Sequence, residues 1–299
     1  MVVVWGREGI GKTALAVKLA QQIQQQFDCV IWRSLRYSPP LQDLLANLIE
    51  TLSQQQQINL PKTVNGRIST LIEYLRSHRC LLVLDDWETI NGSDNLVGNY
   101  LQGYEQYEEL LKRLIEASHQ SCLLLITRTE PREITITKSN TLPIRSLNLR
   151  DLDSESAKKI FKDKGFSGSE HGLEDLIKFY GGNPLILQMV ATTIKDELKI
   201  SVAEFLETCT LIYSDIRNIF NRQFKGLSDL EKKLLYRLAI KKQPMTITEL
   251  RIILPSGLTD ALRSLLQRCL IENDQTLFTL QPTVMRYVLE IFPPDIGDS

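Results

Sequence analysis

The chain has 299 residues, 43% hydrophobic and 24% charged, a composition typical of a globular protein with room for two or three domains. Its formal net charge of −1 gives no overall positive field that would favour nucleic acid. No stretch approaches about 18 consecutive apolar residues, and the N-terminus lacks a signal-peptide pattern, so we expect a cytoplasmic protein with no membrane segment. The five cysteines are widely spaced without a C-x-x-C pair, as expected for buried thiols in a reducing compartment.

The first predicted element is a short buried strand, because Val2 to Trp5 form an apolar run that ends at a glycine. A helix is predicted over Thr13 to Ile23, where apolar residues recur at helical spacing. The segment between them satisfies the pattern G-x-x-x-x-G-K-[ST], in the strand–loop–helix context that this phosphate-binding motif requires. The motif residues are Gly6, Gly11, Lys12 and Thr13.

Each part of this loop suits a polyphosphate. Main-chain N–H groups from Glu8 to Ala14 can point at an anion, and the following helix offers its positive end. Gly9 and Gly11 allow the backbone to approach phosphate oxygens without a Cβ. The ammonium of Lys12 can bridge two phosphates, and the hydroxyl of Thr13 can coordinate Mg²⁺.

Four further apolar runs predict strands, and helical patterns separate them. The predicted strands are Cys29–Trp32, Cys80–Leu84, Cys122–Ile126 and Leu142–Leu147. The predicted helices are Leu41–Leu52, Gly66–Ser77 and Tyr107–Ser118. This alternation indicates an α/β domain with a mostly parallel sheet and helices on both faces.

The pattern changes after about residue 150, where helices follow one another without strands. The first predicted helices there are Asp151–Lys164, Leu173–Tyr180 and Pro184–Leu198. From Leu227 the chain shows three helical patterns, then strands Leu270–Glu272 and Leu277–Leu280 with Asn273–Asp274 as their turn, then a helix over Thr283–Ile291. Three helices with a small hairpin indicate a winged helix. The predicted domains are therefore an α/β nucleotide-binding domain over 1–146, a helical domain over 147–224 and a winged-helix domain over 225–299.

Polar residues follow two of the predicted strands. Asp85 and Asp86 end the strand in LLVLDDWE, where Asp85 would hold Mg²⁺ and Asp86 could orient or deprotonate an attacking water. Arg128 follows the strand in LLLITRTEP and could read a γ-phosphate. Because ligands bind at the carboxyl ends of parallel strands, these residues and Gly6 are expected at one edge. An ordinary acidic turn after a buried strand, and a surface arginine paired with Glu130 or Glu133, remain the structural alternatives.

A fourth motif, FYGGNPLILQMVA, is explained by helix boundaries alone. Gly181 and Gly182 end one helix, Asn183 caps the next, and Pro184 lies in its first turn. From the residues themselves, Pro184 is not assigned to a ligand.

These motifs, in this order and spacing, resemble the NB-ARC family of STAND (signal-transduction) P-loop NTPases over essentially the whole chain. The resemblance is greatest to bacterial, especially cyanobacterial, members that carry C-terminal β-propeller repeats. It implies three domains that close over ADP, with Asp85 and Asp86 as the Walker B pair, Arg128 as the sensor arginine and Pro184 packed on the adenine. The loop residues implied to bind the nucleotide are Gly6, Gly9, Ile10, Gly11, Lys12, Thr13 and Ala14.

The chain departs from the family pattern at two places. Members usually have a segment before the first strand that helps to hold the adenine, and an effector segment and sensor repeats are also expected beyond this chain. At the MHD-like motif, Gln281 replaces the histidine that in many members contacts the β-phosphate of ADP. A glutamine can donate a hydrogen bond but has no titratable charge.

The leading hypothesis is a switch that binds ADP or ATP with Mg²⁺, in which nucleotide exchange controls domain opening and self-association. Hydrolysis would be slow at most. The alternative is an ATP-dependent DNA-binding regulator that acts through its winged helix. Its candidate recognition helix offers only Arg263 and Arg268 as cations, which argues against a nucleic-acid partner. Two further hypotheses are a general ATPase motor and a chain that is catalytically incompetent because an N-terminal segment is missing.

Overall fold

The computed structural model describes residues 1–53, 59–91, 100–137, 144–208, 214–274 and 276–292. Contacts between residues divide the chain into two compact units. The first comprises Met1–Gly6 and Lys12–Leu149, and the second comprises Arg7–Gly11 and Arg150–Ser299. The phosphate-loop sequence therefore contributes to both units. Separate helical and winged-helix domains after residue 146 stay a prediction.

A parallel sheet forms the centre of the first unit. Its five strands in the described residues are β1 (Val2–Trp5), β2 (Cys29–Ser34), β3 (Cys80–Asp85), β4 (Cys122–Thr127) and β5 (Arg145–Asn148). They have the order β2-β3-β4-β1-β5, with every neighbouring pair parallel. The α/β P-loop fold predicted from the sequence is confirmed.

Helices cover both faces of this sheet, which is why its central strands are apolar without alternation. Val3 lies in a core that includes side chains of α2 (Leu41–Leu52), α3 (Val64–Ser77) and α4 (Gln106–Glu116). Val4 lies in a second core with Ala16 and Ala20 of α1 (Lys12–Ile23). Successive residues of a strand point to opposite faces, so one apolar run supplies both cores. The helices of this unit are α1 (Lys12–Ile23), α2 (Leu41–Leu52), α3 (Val64–Ser77), α4 (Gln106–Glu116) and α5 (Arg132–Thr137).

The carboxyl ends of the strands lie at one edge of the sheet. Ser34 is in register with Asp85, and Trp5 is in register with Thr127. A short 3₁₀ helix over Trp87–Ile90 follows β3 at this edge. Its Trp87 and Ile90 side chains are buried and anchor the segment in the core. The first unit therefore gathers the ends of separate strands where the sequence predicts a site.

Helices dominate the second unit. They are α6 (Ser154–Asp163), α7 (Leu173–Tyr180), α8 (Pro184–Thr192), α9 (Val202–Thr208), α10 (Ser214–Phe224), α11 (Asp229–Lys241), α12 (Ile247–Ile253), α13 (Leu258–Gln267) and α14 (Pro282–Ile291). A π-helical turn over Thr193–Leu198 extends α8. The strands β6 (Met245–Thr246), β7 (Glu272–Asp274) and β8 (Leu277–Thr279) form an antiparallel sheet of order β6-β8-β7. None of the helices in the described part of the chain has the length and apolar character that a bilayer crossing requires.

The hairpin of the second unit differs from its prediction. Asn273 and Asp274 lie in β7 and pair with Phe278 and Leu277, so they do not form the turn. The difference arises because the helix α13 ends at Gln267 and Cys269 has a left-handed φ of 54°. Leu270 and Ile271 are then buried as a connecting segment, which moves the strand toward the C-terminus.

Other helix and strand boundaries also differ from their predictions. The fifth strand begins at Arg145, where Leu142 was predicted; residues 142 and 143 lie outside the described residues. The helix predicted from Asp151 begins at Ser154, because the side chain of Asp153 caps it by accepting from the main-chain N–H of Ser156. Three helices were not predicted, namely α5, α9 and α10.

Candidate functional site

The lysine of the predicted phosphate loop lies at the first position of α1. Its side chain turns back, and Nζ donates to the carbonyl oxygen of Gly6 at 2.8 Å. Gly6 has a φ of 150°, which glycine adopts without steric cost. The ammonium of Lys12 is thus held beside main-chain N–H groups at the positive end of a helix.

Thr13 lies beside the first acid of the predicted Walker B pair. Its hydroxyl donates to Asp85 Oδ2 at 3.1 Å, although the two residues are 72 positions apart in the chain. Asp85 ends β3 and is only 5% exposed. Burial raises the pKa of Asp85, while the N–H of Asp86, the Thr13 hydroxyl and the charge of Lys12 oppose this shift.

The second acid, Asp86, has an unusual backbone and a defined partner. Its φ of 59° and ψ of 35° are left-handed, a conformation that aspartate tolerates better than most residues. The Ser34 hydroxyl at the end of β2 donates to Asp86 Oδ2 at 2.7 Å. Asp86 therefore points its carboxylate toward the end of the neighbouring strand.

Arg128 binds a third acid from the same region. Its Nε donates to Glu88 Oε1 at 2.9 Å, and its main-chain N–H donates to Glu88 Oε2 at 3.2 Å. Glu88 lies in the 3₁₀ helix after β3. Burial raises the pKa of Glu88, and the positive charges of Arg128 and Lys12 oppose that rise. The first unit thus brings together Gly6, Lys12, Thr13, Asp85, Asp86 and Arg128.

In the second unit, the loop segment Arg7–Gly11 packs on the start of α8. Asn183 Nδ2 donates to the carbonyl oxygen of Glu8 at 3.0 Å, and the Leu185 N–H donates to that of Gly9 at 3.3 Å. Asn183 also caps α8, as predicted, because its Oδ1 accepts from the N–H groups of Leu185 and Ile186. Pro184, between these residues, occupies the first turn of α8.

Gln281 is also in the second unit and is surrounded by polar side chains. Its Nε2 donates to Asp151 Oδ2 at 2.5 Å and to Glu272 Oε1 at 2.6 Å. Its Oε1 accepts a hydrogen bond from Arg7, which also forms an ion pair with Asp151. The side-chain amide is thus bound by protein groups on both its nitrogen and its oxygen.

Three further residues of the predicted phosphate loop are Ile10, Gly11 and Ala14. Ile10 is 5% exposed and belongs to the second unit, as does Gly11, where an added Cβ would have no atom within 4 Å. Ala14 lies in the first turn of α1 and is exposed.

With this geometry established, comparison with known proteins identifies the family. A family model described as the NACHT domain matches residues 1–167, more than half of the chain. The chain belongs to the NACHT-domain family of STAND P-loop NTPases. The STAND class expected from the sequence is confirmed, and the model that matches is that of the NACHT domain.

Relatives of this NACHT chain support the same class. An uncharacterized WD repeat-containing protein of Nostoc sp. is 42% identical and covers 96% of the chain. The disease resistance protein RRS1 of Arabidopsis thaliana is 26% identical over 79% of the chain. The chain spans 24% and 17% of the lengths of these two relatives. A Walker-type ATPase of Pyrococcus abyssi, 11% identical with a TM-score of 0.62, covers 96% of the chain and 90% of its own, and shows the shared fold.

Membership of the NACHT family implies nucleotide binding, and the residues of the first unit fit a nucleotide with Mg²⁺. Thr13 and Asp85 present hard oxygen donors side by side, which Mg²⁺ prefers. In the described ranges no group of three or more His, Cys, Asp or Glu side chains that could hold a metal ion is found. The Thr127 hydroxyl is fully buried at the same sheet edge and finds no hydrogen-bond partner within the described structure. A polar ligand at this edge would supply one.

Two residues of the first unit were missed by sequence reasoning. Glu88 stands two positions after the predicted acidic pair, so a third acid in DDWE was its available signal. Ser34 had no such signal, because it lies 52 residues before its partner Asp86 and ends a strand predicted to stop at Trp32.

Proposed function

We propose that this NACHT chain is a nucleotide-dependent switch that binds ADP or ATP with Mg²⁺ and hydrolyses ATP slowly, if at all. The observation that carries this proposal is the convergence of Lys12, Thr13 and Asp85 at the sheet edge. Polyphosphate binding with Mg²⁺ requires a cation and a hydroxyl at the start of a helix, with a buried carboxylate beside them.

Each predicted site residue has a defined role in this proposal. Lys12 binds phosphate oxygens, and Thr13 and Asp85 would hold Mg²⁺, which when bound neutralises phosphate charge. Asp86 orients or deprotonates the attacking water, and Arg128 reads the γ-phosphate. Gly6 and the loop from Gly9 to Ala14 offer main-chain N–H groups to the phosphates.

For the chain after residue 146 we propose a helical domain over 147–224 and a winged helix over 225–299. The three-stranded antiparallel sheet with α11, α12 and α13 supports the winged helix. Pro184 would pack on the adenine, by resemblance. Gln281 would contact the nucleotide only after releasing one of its present hydrogen-bond partners, since both N–H groups are already donated.

The side chains of α13 argue against the alternative, a DNA-binding regulator. Its buried face includes Leu258, Leu262 and Leu265. Arg268 follows the helix and donates to Ser264 Oγ and to the Gly226 carbonyl oxygen, with Glu231 at 3.8 Å. A residue bound in this way is not presented to a phosphate backbone. We therefore assign the proposed winged helix to packing.

The proposed switch needs attached partners. The Nostoc relative is described as WD repeat-containing and is about four times as long as the aligned region, which supports sensor repeats beyond this chain. We propose that exchange of ADP for ATP opens the domains and permits self-association. The physical requirement is that the two arrangements differ in their affinity for the two nucleotides.

Titration of the chain with fluorescent ADP and with calorimetry tests the proposal. Lys12→Ala should weaken ADP and ATP binding by at least about tenfold, because a charge-assisted phosphate contact is lost. Lys18→Ala is the matched control, since Lys18 lies on the same helix and is exposed. Unchanged affinity in Lys12→Ala, or equal losses in both variants, would contradict the proposal.

A further inference from the structure

We propose that Glu88 biases this site toward a nucleoside diphosphate over a triphosphate by engaging Arg128. The inference rests on the proposed function above. It assigns to Glu88 a positioning and specificity-determining role that neither the acidic pair nor the phosphate loop supplies.

The geometry gives Glu88 a two-point hold on Arg128. One carboxylate oxygen accepts from the guanidinium Nε at 2.9 Å, and the other accepts from the main-chain N–H at 3.2 Å. The first contact fixes the side chain and the second fixes the end of β4. Because both contacts come from one carboxylate, the guanidinium cannot turn away from β3 without breaking its hydrogen bond to Glu88.

Glu88 itself is held firmly. Its side chain is 18% exposed, whereas that of Arg128 is 37% exposed. The flanking Trp87 and Ile90 side chains are buried at 1% and 0% exposure. The main chain of the 3₁₀ helix is closed by hydrogen bonds from Thr89 to Asp86 and from Asn91 to Glu88. Glu88 is therefore the fixed partner, and Arg128 is the partner with access to solvent.

The charges determine the direction of the effect. A carboxylate beside Arg128 offsets part of the positive charge that would attract a γ-phosphate. The charge of Lys12 lowers the pKa of Glu88 and that of Asp86 raises it. A triphosphate brings extra negative charge to Arg128 and must compete with Glu88, whereas a diphosphate brings no γ-phosphate. Removing the carboxylate charge should thus favour the triphosphate selectively.

The experiment measures the dissociation constants of ADP and of a non-hydrolysable ATP analogue, both with Mg²⁺, for the whole chain. In Glu88→Gln the ratio of the analogue's constant to that of ADP should fall about tenfold, with ADP affinity nearly unchanged. The same substitution in an Arg128→Gln background should leave the ratio unaltered, because the guanidinium that Glu88 binds is gone. Glu109→Gln is the control, because Glu109 is an exposed glutamate on α4, and this variant should leave the ratio unchanged.

Three outcomes would overturn the proposal. Equal shifts for both nucleotides would mean that Glu88 only supports the fold, and an effect that persists without Arg128 would mean that it acts elsewhere. A loss of Mg²⁺-dependent affinity would make Glu88 part of the metal site. If Glu88→Gln does not fold, Glu88→Asp tests the same point, since the shorter side chain cannot reach both donors and should lower the ratio to a smaller extent.

Failure of this inference is distinguishable from failure of the proposed function. A wild-type chain that binds neither nucleotide would contradict both. A wild-type chain that binds both nucleotides through Lys12, with no change of ratio in Glu88→Gln, would contradict only the role of Glu88.

Discussion

Gln281 donates a hydrogen bond to Asp151, with 2.5 Å between Nε2 and Oδ2. The residue stands at the N-cap position of α14, yet its side chain does not cap that helix. Instead its amide joins the segment before α6 to β7 through Asp151 and Glu272, while its oxygen accepts from Arg7. Gln281 therefore links three segments of the second unit through its side-chain hydrogen bonds.

Gln281→Glu should destabilise the second unit by about 1–3 kcal/mol at neutral pH. The substitution keeps the shape but replaces two N–H donors by an acceptor that faces the carboxylates of Asp151 and Glu272. Arg7 can compensate only in part. Urea unfolding measures the change, and Gln188→Glu on the exposed side of α8 is the control. Equal stability of the two variants would show that the amide donors contribute nothing.

Gly9→Ala should lower stability more than glycine's backbone freedom alone explains. Gly9 has a φ of 77°, and an added Cβ would lie 2.6 Å from Leu185 Cβ and 2.9 Å from Asn183 Oδ1. Gly103 has a φ of 89° and no atom within 4 Å of an added Cβ, so Gly103→Ala measures the cost of the left-handed backbone alone. We expect Gly9→Ala to cost about 1–3 kcal/mol more than Gly103→Ala in urea unfolding. Equal costs would mean that the start of α8 can move aside.

The sequence predicted those parts of the site that local patterns encode. Lys12 and Thr13 belong to a contiguous motif, and Asp85 ends a run of apolar residues, so each carries its own signal. That parallel strands share an edge was enough to place Asp85 near Thr13. The pairing of Arg128 with Glu88 was not predicted, because it depends on a 3₁₀ helix that folds the third acid back toward β4.

The same limit applies to the fold. Strands buried on both faces were found to within one or two residues, whereas β5 has only partly buried or exposed residues and was placed too early. The predicted hairpin turn was wrong because Asn273 and Asp274, which favour turns, are strand residues here. Their position depends on where α13 ends, and that is set by tertiary packing of Leu270 and Ile271.

Glu133 offers a test of how burial affects a carboxylate next to the end of β4. It lies in the first turn of α5, is 7% exposed, and accepts a hydrogen bond from the Tyr100 hydroxyl at 3.3 Å. Burial raises the pKa of Glu133 above its usual value of 4.5, and Glu108 adds to the rise. The folded state therefore binds a proton more readily than the unfolded chain does.

It follows that the contribution of Glu133 to the stability of the folded chain falls as the pH rises from the unfolded pKa of Glu133 through its higher folded pKa. A glutamine at this position does not titrate, so the stability of Glu133→Gln relative to wild type should be greater at about pH 7.5 than at about pH 4.5. Urea unfolding of both proteins at the two pH values measures this difference. Glu109→Gln, on the exposed face of α4, is the control variant and is measured in the same way. A relative stability of Glu133→Gln that falls or stays constant with rising pH would contradict the raised pKa, and would mean that the partners of Glu133 offset its burial.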